Sequence, residues 1–309
     1  MSAEFFSHTS KHSLFFCYAM LQDARDYQIL FLSGFLILGI ATRDWTLQFD
    51  LMAVVFFTCL LTQALATWYF HRPSNPSYSE IFASLKSAVI TSLSLCLLLR
   101  ADSYFTMLIA ANLAILSKFF IKFQGKHFFN PANFGIISAL ILRPDAWVSP
   151  GQWGDDWWYG LLFFGGGSLI LKKVGRWDTT VAFLLTYSCL EAVRNVWLGW
   201  TWDVFLHRLM SGSLLLFALF MITDPRSIPN ARVSRLIWAA LIAIFTFILR
   251  NQFFVSEAVF WALFAVAPLT ILLNFIWPAS DFSWLQTTNL ESLSVAKDEE
   301  PLGIAQHTI

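Results

Sequence analysis

The sequence predicts an all-α fold: a polytopic membrane protein of about ten transmembrane helices. Three observations carry that reading. Hydrophobic residues make up 57% of the 309 and charged residues only 13%, whereas a soluble domain carries about 25% charged. Mean hydropathy is +0.60, and apolar runs recur along the whole chain rather than in one anchor. The polar residues collect at the ends of those runs, where tryptophans also gather.

In chain order, residues 1–27 read as a polar to mildly amphipathic cytoplasmic leader ending in Asp23-Ala-Arg-Asp-Tyr-Gln28. The run Leu14 to Leu21 is short and lacks a basic leader, so no cleavable signal peptide is expected. Residues 28–277 hold the membrane domain. Its apolar segments run over 28–41, 49–70, 80–99, 103–123, 130–142, 159–171, 178–198, 203–223, 234–249 and 256–277. The first, fifth and sixth are shorter than the ~20 residues that cross a bilayer unaided, so they need the cover of a bundle. Residues 278–309, with Lys297-Asp-Glu-Glu300, read as a disordered cytoplasmic tail.

Lys and Arg test the orientation independently of hydropathy. With ten spans, thirteen fall on the side of the N-terminus and five opposite, which places both termini in the cytoplasm of a multi-pass cell-membrane protein. Formal net charge is zero, which gives no reason to expect nucleic acid. Cys17, Cys59, Cys96 and Cys189 lie far apart without a C-x-x-C, and read as small buried hydrophobes; no metal-ligand spacing appears. Nothing resembles a catalytic triad.

Two proline-marked stretches are the candidate site. In Lys126-His-Phe-Phe-Asn-Pro-Ala-Asn133, Asn130 is a good N-cap and Pro131 suits the first helical position. The residue before a proline is also pushed out of the α region, so the helix should begin there. Thr223-Asp-Pro-Arg-Ser-Ile-Pro229 reads as the same device, with Asp224 capping a helix that starts at Pro225. Helix N-termini offer unpaired N–H groups and partial positive charge, which suit a carboxylate, a phosphate or a flavin edge. Asn130, Pro131, Asn133, Asp224 and Pro225 are therefore the expected ligand or cofactor residues, lining a cytoplasm-facing pocket. The plainer alternative is that Asn130 and Asp224 only cap their own helices.

Ionisable residues in the spans come next. Lys86 is expected to snorkel toward the cytoplasmic interface, and Glu191 to pair with Arg194 at i,i+3. Asp203, His207 and Glu257 form a possible proton or cation route, against the alternative of an interfacial ion network. Gly160, Gly165-Gly-Gly167 and Gly212 read as close-packing positions.

His127-Phe-Phe-Asn-Pro-Ala-Asn-Phe-Gly135 resembles the N-P-A helix of the RnfD/NqrB membrane subunits of Rnf and sodium-pumping NADH:quinone oxidoreductase complexes. Ser211-Gly-Ser-Leu through Phe220-Met-Ile-Thr-Asp-Pro225 is similar to that family's S-G-G-T…A-T-D-P stretch, and Arg176-Trp-Asp-Thr-Thr-Val-Ala-Phe183 also fits. The likeness covers about residues 80–277 and looks more like the shorter RnfD-like proteins, including the UnbU type. It implies ten helices, partner redox subunits, and membrane electron transport coupled to translocation of Na⁺ or H⁺. It also implies FMN linked to a threonine in the loop after the N-P-A helix. The loop Arg143–Trp158 contains no threonine, so covalent FMN is not expected, and a noncovalent flavin near the short helices remains open. A small-solute transporter or channel, and a membrane assembly subunit without a site, are the alternative functions.

Overall fold

The computed structural model describes residues 23–43, 49–71, 78–148 and 157–282; the tail from 283 and most of the leader lie outside them. Ala24–Asp281 forms one compact unit. It is all-α, with twelve α-helices among the described residues. In order these are α1 (Ala24–Arg43), α2 (Phe49–His71), α3 (Tyr78–Leu98), α4 (Tyr104–Phe120), α5 (Pro131–Leu142) and α6 (Trp157–Val174). Then follow α7 (Trp177–Trp197), α8 (Trp202–Leu209), α9 (Gly212–Leu216) running into a π-turn over Phe217–Met221, α10 (Arg232–Gln252), α11 (Ala258–Val266) and α12 (Leu269–Ile276).

Every apolar segment read from the sequence is a helix or a broken helix. By length and composition, four helices are able to cross a membrane: α1, α2, α3 and α10. The number becomes six if two bent pairs each count as one span. The pairs are α8 with α9 and its π-turn, bent by 49°, and α11 with α12, bent by 47°. The shortfall from ten has two physical sources. Helices α4 and α5 are apolar but short: at 1.5 Å per residue α5 is about 18 Å long, and the hydrocarbon core is about 30 Å thick. Helices α6 and α7, of 18 and 21 residues, are long enough but fall short in apolar composition. The chain thus mixes full spans with shorter pieces that need protein around their ends.

Two short antiparallel ribbons close opposite ends of the α3–α5 region. Strand β1 (Leu99–Ala101) pairs with β4 (Ala146–Val148), while β2 (Lys122–Phe123) pairs with β3 (Lys126–His127). The β2–β3 turn needs two left-handed residues, and Gln124 (φ 49°) and Gly125 (φ 81°) supply them.

The exterior is apolar, as a lipid-facing surface requires. Ile37, Phe57, Leu161, Leu185 and Phe275 are all exposed, Phe275 to 86%. Trp158, Trp177, Trp197, Trp202 and Trp277 are exposed at helix ends, the belt that the sequence predicts. Trp238 differs: it is buried, and its indole N–H donates to the Val266 carbonyl at 3.3 Å. That carbonyl lies just before the Pro268 bend, where the helical ladder is interrupted.

Charges inside the bundle are tied across helices. Lys86 meets Asp26 of α1 at 2.6 Å. Glu191, 2% exposed, accepts from Tyr187, Asn251 and Arg208, so its ionic partner is Arg208 of α8 and not Arg194. The i,i+3 expectation fails because Arg194 lies against the Trp200 ring, 4.6 Å from its centroid. Arg235 grips Asp178 through Nε and Nη2, the latter at 2.6 Å.

The close-packing reading of the glycines holds at Gly160, Gly166 and Gly167, where an added Cβ meets Met210, Phe31 and Leu219, but not at Gly165, which faces open space. The tightest approach is at Gly135 of α5. A Cβ there would sit 2.6 Å from the Ala110 carbonyl oxygen and 2.8 Å from the Ala114 Cβ, so α4 and α5 touch through small residues. Gly135→Ala is therefore expected to destabilise the fold by roughly 1–3 kcal/mol. Gly34→Ala, which meets nothing within 4 Å, should be neutral or mildly stabilising; detergent melting curves of the two variants check this.

Candidate functional site

The site grows from the start of α5. Asn130 is extended (φ −65°, ψ 125°), Pro131 fills the first turn, and the Asn130 side-chain oxygen accepts from the Asn133 N–H at 3.1 Å. This is the N-cap expected from the sequence. The same carboxamide has a second role: its Nδ2 donates to the Met221 carbonyl at 3.2 Å. Met221 ends the π-turn after α9, so one side chain joins the N-terminus of a short helix to the C-terminus of an interrupted one. The π-turn is also held from α7, where the Thr180 hydroxyl donates to the Ala218 carbonyl at 2.6 Å.

The second proline stretch is placed differently from the prediction. Asp224-Pro225 does not start a helix; Ile222–Ala231 is a run of turns, and α10 begins at Arg232. Asp224 Oδ1 accepts from the Arg226 N–H at 3.2 Å, and the Asp224 carbonyl from the Ser227 N–H at 3.1 Å. The reason is present in the sequence. A helix begun at Pro225 would bring the Pro229 ring against the Pro225 carbonyl, the i−4 clash that breaks helices. Asp224 and Pro225 instead occupy the first two positions of a turn that suits both.

Even so, the two stretches meet. His127 Nε2 lies 4.0 Å from Asp224 Oδ2. Lys126 Nζ donates to the Ile228 carbonyl at 2.7 Å and to Asn230 Oδ1. Asn230 in turn donates to Asp281, and its carbonyl accepts from Arg235. A buried loop, with Thr223, Ser227, Ile228 and Asn230 all buried, is thus laced to the β2–β3 hairpin and the α5 cap.

Asn133, one turn into α5, is 1% exposed and donates to the Phe260 carbonyl of α11 at 3.2 Å. Its Oδ1 is buried without a hydrogen-bond partner, and a buried orphan acceptor costs about 1–3 kcal/mol. Beside this segment Phe129 stacks on Phe264 at 4.9 Å, with Phe134 at 5.3 Å from Phe129. The junction therefore combines aromatic faces, an acceptor awaiting a donor and a buried imidazole beside a carboxylate.

Burial holds His127 well below the usual imidazole range, at about 4; Asp224 pulls the other way, and nearby Arg226, Lys118 and Lys122 add to the lowering. Burial likewise brings Lys126 down to about 8. In the sequence His127 reads only as part of a motif, and Lys118 as a loop charge. Lys118 is in fact buried on α4 and donates to Gln63 and Ser87; an ionisable residue inside the 103–123 run is the signal for it. Asp203 and His207 are exposed on α8, and Glu257, partly exposed at the start of α11, accepts from Ser256. The carboxylate buried within the bundle on that side is Glu191.

A helical bundle with exposed apolar faces, and interrupted helices whose ends meet in a polar junction, defines a polytopic membrane protein. Residues 148–282 match the model of the NQR2, RnfD, RnfE family, and this bears out the resemblance first drawn from the motifs. Similar proteins include the RnfD subunit of the ion-translocating oxidoreductase complex of Haemophilus influenzae, 32% identical over 113 residues that cover 36% of this chain and 31% of the relative. The corresponding protein of Stutzerimonas stutzeri is 33% identical over 37% of this chain and 32% of its own length. That of Cellvibrio japonicus is 29% identical over 48% and 42%. The matched stretch thus spans about a third to two fifths of these relatives. The family match contains the Asp224 half of the junction and begins after the Asn130 half.

His127 gives a pH prediction. Its folded pKa lies below the unfolded value, so its contribution to stability is complete above about pH 6.5 and declines as pH falls toward 4. His127→Gln should flatten the loss of stability measured between pH 6.5 and 5; an unchanged slope would remove the buried neutral imidazole from the account.

Proposed function

We propose that this chain is a membrane subunit of an electron-transport complex coupled to translocation of Na⁺ or H⁺. In this reading it works in the cytoplasmic membrane with partner redox subunits, and both termini face the cytoplasm. The observation that carries the proposal is the junction at Asn130, where the end of an interrupted helix meets the start of a short one beside His127 and Asp224. Meeting ends of interrupted helices are where membrane proteins build sites for ions and small ligands. The names of the relatives, subunits of ion-translocating oxidoreductase complexes, support the same reading.

Two forms of flavin are to be weighed against the residues. A phosphate-linked FMN does not fit, because the loop 143–158 offers no threonine. A noncovalent flavin fits the junction better. Asn133 Oδ1 is a buried acceptor in want of a donor, and Phe129, Phe134 and Phe264 present aromatic faces beside it. When bound, a flavin would supply one- and two-electron transfer. The chain's own part is to hold the ring edge through Asn133, exclude water with the phenylalanines, and keep His127 neutral next to Asp224. Asp203, His207 and Glu257 remain the proposed outer approach for an ion.

The detergent-purified chain should show a flavin absorbance that is released on denaturation with the mass of an unmodified flavin. Asn133→Leu should abolish it while leaving the melting curve cooperative. A colourless preparation that melts cooperatively would contradict the flavin reading.

A further inference from the structure

Three guanidiniums gather where α7 ends, α8 begins and α10 ends. Arg250 donates to the Tyr187 hydroxyl at 3.0 Å, and that hydroxyl donates to Glu191 at 3.0 Å. Arg208 donates to the same carboxylate at 3.1 Å and lies 5.3 Å from the centroid of the Trp200 ring. Arg194 lies 4.6 Å from that centroid. One indole thus brings Arg194 and Arg208 together, and an unbroken set of contacts joins all three arginines to a single buried carboxylate.

Glu191 is already served by Tyr187, Asn251 and Arg208. On α8, Asp203 accepts from the Thr201 hydroxyl, and at the start of α11 Glu257 accepts from Ser256. Arg194 Nη1 is buried with no hydrogen-bond partner among the described residues. The next residue, Asn195, is 3% exposed. Its Nδ2 donates to the Trp200 and Thr201 carbonyls, while its Oδ1 is buried without a donor. The turn that carries Trp200 therefore holds an unsatisfied charged donor and an unsatisfied amide acceptor.

The plain reading is an interfacial anchor, arginine stacked on tryptophan. Stacking uses the face of a guanidinium and leaves its edge donors for water or acceptors, and Arg194 Nη1 has neither. Leaving such a donor buried is costly, so the arrangement points to an anion. Its surroundings say which kind. Arg194 and Trp197 are three residues apart on one face of α7, and Val193, Val196 and Trp197 are exposed, as is Leu206 of α8. The charge sits beside a lipid-facing surface.

We propose that Arg194 and Arg208, held together on Trp200, form the headgroup site of an anionic phospholipid that carries hydroxyls, of the phosphatidylglycerol class. The guanidiniums hold the phosphodiester, as basic pockets between membrane helices do. Arg208 spends Nη1 on Glu191 and Asn251, which leaves its other donors for the phosphate. A headgroup hydroxyl donates to Asn195 Oδ1, and the acyl chains lie along the exposed apolar side of α7 and α8. This site requires a membrane protein and does not depend on the redox reading.

The test uses the full-length, delipidated, detergent-purified chain in native mass spectrometry, with phosphatidylglycerol and phosphatidylcholine of matched acyl chains. R194Q, the charge-conserving R194K and the control R143Q are measured after confirming cooperative melting. Arg143 also lies on an aromatic ring, 5.5 Å from the Phe105 centroid, but is paired with Asp145 at 3.3 Å. The expected result is selective retention of phosphatidylglycerol that weakens at least about tenfold in R194Q. It should persist in R194K and in R143Q. Equal retention of the two lipids by the unaltered chain, or a loss in R143Q equal to that in R194Q, would overturn the site. Calorimetric binding of glycerol 1-phosphate without selective lipid retention would assign the arginines to a soluble anion and overturn the lipid reading.

Discussion

Backbone groups freed by a broken helix have no water to turn to inside a bilayer, and this constraint organises the molecule. Two of the interruptions carry partners from elsewhere. The π-turn after α9 exposes the Ala218 and Met221 carbonyls, which receive Thr180 and Asn130. The bend before α12 exposes the Val266 carbonyl, which receives the Trp238 indole. Because these partners come from α7, α5 and α10, satisfying the backbone also fixes how the short helices sit against the long ones. The interrupted helices are positioned by their own unpaired carbonyls.

The ionic contacts follow the same logic. Asp178 and Arg235 are both buried and joined in a fork, and Glu191 is enclosed by Tyr187, Asn251 and Arg208. Buried pairs of this kind contribute little net stability, but removing one partner is costly. Their effect is on specificity of arrangement: α7 is pinned to α10 at one end through Asp178 and near the other through Glu191. The junction at Asn130 lies close to the first of these pins, because Asn230 links Lys126 to Arg235. A rigid frame therefore surrounds the region where the Asn133 Oδ1 acceptor is left open.

Much of this is legible in the sequence, for reasons that differ by residue. Apolar runs find every helix, since lipid exposure forces hydrophobicity that a soluble surface would not show. The Asn130-Pro131 start is readable because capping is local chemistry. Asp224-Pro225 misleads because the clash that excludes a helix comes from Pro229, outside the capping pair itself. Spacing alone pairs Glu191 with Arg194, whereas its partner Arg208 comes from another helix, and helix spacing says nothing of tertiary neighbours. The meeting of His127 with Asp224 is of the same kind. These residues are nearly a hundred positions apart, and the tertiary hydrogen bonds of Asn130 to Met221 and of Lys126 to Ile228 and Asn230 bring them together.

The direct measurement is proximity across the junction. In a chain whose four native cysteines are replaced, His127→Cys and Asp224→Cys are treated with a short bifunctional thiol reagent in membranes. The structure predicts one intramolecular bridge in high yield, seen as a single linker mass on a peptide pair joining the two segments. Efficient single-site labelling of both cysteines with no bridge would mean that the two segments do not meet, and the account of the site would fail.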